Sequence, residues 1–225
     1  MTSESSSGPG FGSEDIVEYD RRSEEWANFL THALGTVMSV IGVAALLSAS
    51  TDDPPPHRIA YGVYGATLTA VYAASALSHL FQSPRLRHFF RVLDQAFIYL
   101  LIVGTYTPTA VVYLHGGALD WLFRSMWVVA LAGFLSKAIW HHRVEAISVV
   151  VYVALGWMPI LGIGAAYERL PTLSFQLFLA GGVLYTVGVT FLLNDHRVRY
   201  FHMTWHLFVM AASLCHFIAV LLYTL

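Results

Sequence analysis

Two histidines stand four residues apart in the segment HMTWH, His202 and His206. On a helix that spacing puts both imidazoles on one face, about 6 Å apart along the axis. Such a pair can hold one metal ion from a single helix. Zinc takes about four ligands, and a catalytic zinc keeps one position for water. A third imidazole would be needed, and His79 is the candidate. Ser75 lies one turn before His79 on the same helix face, where a hydroxyl can donate to a developing oxyanion. Asp94 carries the carboxylate such a site needs, either to take a proton from the attacking water or to orient a ligand. A donor set of three histidines and a carboxylate also suits iron or manganese. The competing reading is structural, because a lone histidine between apolar helices more often serves an interhelical hydrogen bond. His32 and His216, taken singly, are read that way.

These residues must be positioned by helices in a membrane. The chain has 225 residues, 56% hydrophobic and only 12% charged, with a formal net charge of -2. A soluble domain carries about 25% charge. So little charge cannot cover a soluble globule, and the same figures exclude a disordered chain or a basic nucleic-acid-binding domain. The single Cys215 excludes an internal disulfide and a cysteine-rich metal site. Residues 1–24 are Ser-, Gly- and acid-rich and lack the apolar core of a secretory signal, so they are expected to form a disordered polar tail. The remainder, 25–225, reads as one transmembrane domain.

A bilayer core takes roughly 20 apolar residues per helix. Seven spans are predicted, at about 27–49, 59–82, 92–114, 119–140, 144–166, 172–193 and 202–224. The expected architecture is an all-α seven-transmembrane helix bundle. Polar segments separate the spans: DDPPPHR, QSPRLRHFFR, HGG, HHR, YERLP and NDHRVRY. Pro159 should kink the fifth span, and Pro108 the end of the third. Trp26, Trp121, Trp140 and Tyr113 read as interface anchors.

Seven spans put the termini on opposite sides. Arg21, Arg22, Arg85, Arg87, Arg91, Lys137, Arg143, Arg197 and Arg199 then share the side of the N-terminus, and Arg58, Arg124 and Arg169 face the other. Positive charge stays cytoplasmic, so the N-terminus is expected inside and the C-terminus outside, in the cell's inner (plasma) membrane. With that orientation Asn28 and His32, Ser75 and His79, Asp94, and His202 and His206 fall near the cytoplasmic ends of four different helices. Ionisable groups inside spans are costly and point to function. Their convergence at one depth is the strongest signal in the sequence. His141, His142 and Glu145 fall at the same face but read as solvated surface.

The segments EEWANFLTHALG (24–35), SALSHLF (75–81), LDQAFIYLLIVGTYTP (93–108), GWMPI (156–160), GGVLYTVGV (181–189) and HMTWHLFVMAASLCHF (202–217) resemble, in order and spacing, the bacterial hemolysin III family. That family is related to the adiponectin and progestin receptors and, with the alkaline ceramidases, to a wider group of seven-helix metal-dependent hydrolases. The resemblance implies that Ser75, His79, Asp94, His202 and His206 match the family's five-residue pattern, with none missing. It implies zinc on the three histidines and Asp94 acting through water. Its first-helix motif matches Glu25, Asn28, Thr31 and His32, read as structural or cytoplasmic-mouth groups. The function it implies is zinc-dependent hydrolysis of lipid amides (ceramide-like) or esters, the lipid entering from within the leaflet. Membrane lysis is implied by the family name alone.

Three alternatives stand beside hydrolysis. One is a receptor or stress sensor with structural zinc. The second is a transporter or proton relay using His32, Asp94 and His216, although no inverted repeat is visible. The third is haem ligation, disfavoured because His202 and His206 share one helix face while a haem wants ligands on opposite sides.

Overall fold

The computed structural model describes residues 13–139 and 145–224. Among these residues there are helices and turns and no strand. The helices are α1 (Ser13–Ala49), α2 (Pro55–Leu80), α3 (Pro84–Val112), α4 (Ala118–Ile139), α5 (Glu145–Trp157), α6 (Ile163–Arg169), α7 (Thr172–Leu193) and α8 (Phe201–Leu221). A 3-10 segment, Met158–Gly162, joins α5 to α6. It begins one residue before Pro159, where the sequence predicts a break. α3, by contrast, runs on through Pro108 to Val112.

Six stretches are long and apolar enough to cross a membrane: Arg22–Ala49, Pro84–Val112, Ala118–Ile139, Ser148–Arg169, Thr172–Leu193 and Phe201–Leu221. α2, the expected second span, is helical but is not among them. It lies between α1 and α3 and packs closely on both. Its buried residues include Tyr61, Tyr64, Tyr72, Ser75, Ser78 and His79. A helix enclosed by other helices needs small and polar residues for packing, not a lipid-facing apolar surface. Gly65 and Gly104 mark that close packing. A Cβ on Gly65 would collide with Val43 of α1, and one on Gly104 with Thr67 of α2.

Leu46, Tyr61, Tyr64, Val71, Val209 and Val220 tie α1, α2 and α8 into one apolar cluster. Tyr99, Val103, Met126, Ala130 and Leu155 tie α3, α4 and α5 into another. Outward faces are also apolar: Val37, Ile41, Val128, Leu135, Val150 and Val183 are exposed. So continuous an apolar exterior is unlike a soluble protein's and suits lipid as the solvent.

Two boundaries differ from the sequence reading in ways that matter for the site. α3 begins at Pro84, not near 92, so PRLRHFFR is helix rather than loop. Proline suits the first helical turn because its missing N–H has no partner there in any case. The Arg87 guanidinium donates to the Phe81 carbonyl at 3.2 Å, tying that turn to the end of α2. Asp94 consequently sits nearly three turns inside α3. α1 begins at Ser13, so residues 13–24, part of the segment expected as a disordered polar tail, belong to its helix. Residues 1–12 lie outside the described residues, as do Trp140, His141 and His142, and so does the side chain of Glu145.

Candidate metal centre

The end of α2 and the start of α8 meet beside the stretch of α1 from Glu25 to His32. His79 is the penultimate residue of α2, and His202 and His206 lie in the first two turns of α8. The rings stand close: the centroids are 5.1 Å apart for His79 and His202, 5.3 Å for His79 and His206, and 4.7 Å for His202 and His206. Each residue offers one ligand atom within 4.8 Å of the others, a set that could hold a metal ion. The three histidines singled out from spacing and depth are therefore together in space.

What holds the rings is more informative than their proximity. His79 Nδ1 lies 2.8 Å from Glu25 Oε2. His202 Nδ1 lies 2.8 Å from Asp195 Oδ2. His206 Nδ1 lies 3.1 Å from Thr31 Oγ1. A carboxylate only accepts, so the first two Nδ1 atoms carry the proton. The Thr31 hydroxyl is already directed at its own helix, 2.8 Å from the Asn28 carbonyl and 3.0 Å from that of Ala27. Its remaining lone pair accepts, so His206 Nδ1 also carries the proton. All three imidazoles thus have the same tautomer, leaving each Nε2 lone pair for a ligand. An Nδ1–H bonded to an oxygen acceptor fixes ring orientation and raises ligand basicity, the usual arrangement behind metal-bound histidine. By this test the donor set fits a metal ion that takes imidazole ligands.

The supports are themselves held. Glu25 Oε1 faces Arg87 at 3.7 Å. Asp195 lies in the turn between α7 and α8, and its hydrogen bond to His202 holds its carboxyl below the usual carboxylate range. That turn closes on Tyr200, whose backbone is left-handed at φ 62°. The Tyr200 N–H donates to Glu24 Oε1 at 3.1 Å, fixing the start of α8 to α1. Replacing Glu25 or Asp195 with alanine should weaken metal binding by about 10- to 100-fold. Zinc competition against a chromophoric chelator measures this, and unchanged affinity in both variants would show that these bonds do not tune the site.

The other candidates surround this cluster. His32, only 3% exposed, stacks on His206 with centroids 3.5 Å apart, and Tyr72 meets its edge at 5.1 Å. Both His32 ring nitrogens are buried without a hydrogen-bond partner, as are Asn28 Oδ1 and Ser75 Oγ. Asp94 has Ser75, His202 and Arg91 as polar neighbours but lies outside the three-histidine ligand set. His216 lies ten residues beyond His206, about 15 Å along the axis of α8. It packs on Phe178 and Tyr185, apart from the cluster.

Ser75, Asp94, His32 and the three histidines all line one cavity of about 810 Å³. α3 lines it from Arg91 to Thr109, about 27 Å at 1.5 Å per residue. Ser75, Asp94 and the histidines line one end, while Ile98, Leu101, Ile102, Met126 and Leu170 line much of the rest, with Tyr106 and His216 among them. The arrangement can place a carbonyl beside three imidazole lone pairs, a hydroxyl and a carboxylate, with an apolar channel behind it.

Sequence reasoning did not find Asp195 and gave Glu25 and Thr31 no specific partner. Asp195 had one visible signal, being the acid in the otherwise basic segment DHRVR just before His202. Glu25, Asn28 and His32 follow i, i+3, i+7 spacing, which marks one face of α1 without saying what that face meets.

The chain was compared with known proteins. A family model described as "Haemolysin-III related" matches residues 21–217. "Hemolysin-3" of Bacillus cereus is 37% identical over 204 residues, covering 90% of this chain and 92% of that protein. "Hemolysin-3 homolog" of Bacillus subtilis (strain 168) is 30% identical over 201 residues, covering 89% and 94%. "Monocyte to macrophage differentiation factor" of Homo sapiens is 28% identical over 202 residues, covering 88% and 83%. No solved structure matches the chain.

Proposed function

The chain belongs to the haemolysin-III-related family, and from that premise we propose that it is a zinc-dependent hydrolase of lipid amides or esters, acting from within the membrane. It is a multi-pass membrane protein. On our reading it crosses seven times, with α2 as the second of the spans, the one expected at 59–82. The N-terminus is then cytoplasmic, the C-terminus is outside, and the membrane is the plasma (inner) membrane. The 9 to 3 split of basic residues between the two faces supports this orientation.

His79, His202 and His206 would hold the zinc. When bound, zinc supplies Lewis acidity, which polarises a carbonyl and eases the ionisation of water. The protein's own groups do the rest. Asp94 takes a proton from the attacking water as the oxygen adds to the carbonyl carbon. Ser75 donates its hydroxyl to the oxygen on which charge develops. When the C–N bond breaks, the proton held by Asp94 passes to the leaving amine. An ester would release an alcohol in the same way. The apolar channel takes the chain of the lipid, which enters sideways from the leaflet.

The observation that carries this reading is that all three histidines turn Nδ1 to an oxygen of a neighbouring side chain where they line the cavity. The buried, unbonded Ser75 hydroxyl favours catalysis over a purely structural metal, and a lytic role would rest on the relatives' name alone. The test is fatty-acid release from a fluorescent ceramide by purified protein. Release should stop with a chelator and return with added zinc. No release from ceramide, from simpler lipid amides or from the matching esters, by protein shown to carry zinc, would overturn the proposal and favour a sensor with structural metal.

A further inference from the structure

The cavity continues well past the histidines, and its far half contains two polar groups with nothing to bond. His216 on α8 is 8% exposed and Tyr106 on α3 is 5% exposed. Both line the cavity. His216 Nδ1 and the Tyr106 hydroxyl are buried without a hydrogen-bond partner. An unmade bond at a buried polar atom is costly, so a partner is expected.

The chemistry of that partner follows from the protonation of His216. Its Nε2 lies 3.1 Å from the carbonyl oxygen of Phe178. A carbonyl only accepts, so Nε2 carries the proton and Nδ1 is a bare acceptor. The ring is also fixed in place. The Phe178 side chain stacks on it at 4.9 Å and Tyr185 flanks it at 5.7 Å. Gly181 leaves room for it, because a Cβ there would collide with the imidazole. Tyr185 does not serve Nδ1, which has no partner; its hydroxyl lies 2.7 Å from Ser213 Oγ.

The two groups lie at similar depth. Tyr106 is twelve residues beyond Asp94, about 18 Å along α3, and His216 is ten beyond His206, about 15 Å along α8. Both helices run away from the histidine cluster. A carbonyl oxygen could satisfy Tyr106 but not His216, which needs a donor. An amide would need two separate atoms, its N–H for His216 and its carbonyl for Tyr106. A hydroxyl oxygen can donate to the one and accept from the other at a single atom. We infer that the far half of the cavity is a second polar binding site, in which His216 and Tyr106 bind the mid-chain hydroxyl of a long-chain lipid whose head lies at the histidine cluster. The inference rests on reading the cavity as a lipid site. It does not require the metal centre to be catalytic.

The test uses the full chain in detergent and two probes: octadecanoic acid, and the same acid with a hydroxyl halfway along its chain. Affinities come from native mass spectrometry, with metal content recorded on the same samples. The hydroxylated acid should bind about tenfold more tightly, the scale of one net hydrogen bond. Tyr106→Phe and His216→Leu should each reduce that preference and leave octadecanoic acid binding unchanged. Tyr106→Phe removes one oxygen and keeps the ring, so it carries the test even if His216→Leu does not fold. Equal binding of the two acids to the parent would overturn this inference while leaving the lipid reading intact. Binding of neither would overturn both. A preference surviving both variants would overturn the assignment to these residues.

Discussion

Protein in which His202 and His206 are both replaced by alanine is expected to purify without bound metal, where the parent carries about one zinc ion per chain. The expectation follows from the ligand count. The cluster is three histidines from two helices, and two of the three come from α8. Removing both leaves His79 alone, and one imidazole does not retain a metal through purification. Elemental analysis of both proteins after identical zinc exposure and washing gives the answer. His206 is buried at 1% exposure, so its truncation also opens a void. The single variant His202→Ala avoids this, because that side chain is about one-third exposed. It should lose most of its metal with little change in thermal stability. A parent that carries no metal after zinc is offered, or a double variant that keeps it, would remove the metal centre. The tautomer-fixing bonds to Glu25, Thr31 and Asp195 would then be interhelical fastenings only.

The sequence disclosed the cluster because two independent patterns agree. The i, i+4 spacing of His202 and His206 fixes them on one face, and the alternation of basic residues gives the depth at which His79 joins them. Neither pattern carries information about lateral neighbours. For that reason Glu25 and Thr31 were visible as positions on α1 but not as the partners of His79 and His206. Asp195 was hidden differently. Its segment reads as punctuation between two spans, and its role depends on a turn closed by the left-handed backbone at Tyr200, a conformation that a tyrosine does not advertise. The fold shows the same division. Apolar length identifies helices that face lipid. It found α2 within a few residues, 59–82 against Pro55–Leu80, but it starts α3 too late, because charged residues at a membrane surface need not end a helix. His216 shows the limit most clearly: its type and depth were legible, but its fixed tautomer comes from a carbonyl on α7.

Asp94→Asn is expected to bring lipid-amide turnover down by about 10²- to 10⁴-fold, the usual contribution of a positioned general base. Metal content should stay at the parent level, because Asp94 lies outside the three-histidine ligand set. Asparagine keeps the size of the side chain, but it cannot take a proton from water. The loss should therefore fall on kcat, with KM little changed. In the parent, turnover should fall on the acid side as the Asp94 carboxyl becomes protonated and can no longer act as base. In the variant that acid limb should disappear with the activity. A carboxylate that merely oriented a histidine would behave otherwise: zinc affinity would drop with turnover, and excess zinc would restore the rate. Kinetics measured at saturating zinc separate the two cases. Turnover equal to the parent's under those conditions would exclude Asp94 as the base. The proton would then have to be taken by another group of the cavity, and His32, stacked on His206 with both ring nitrogens unbonded, would be the residue to vary next.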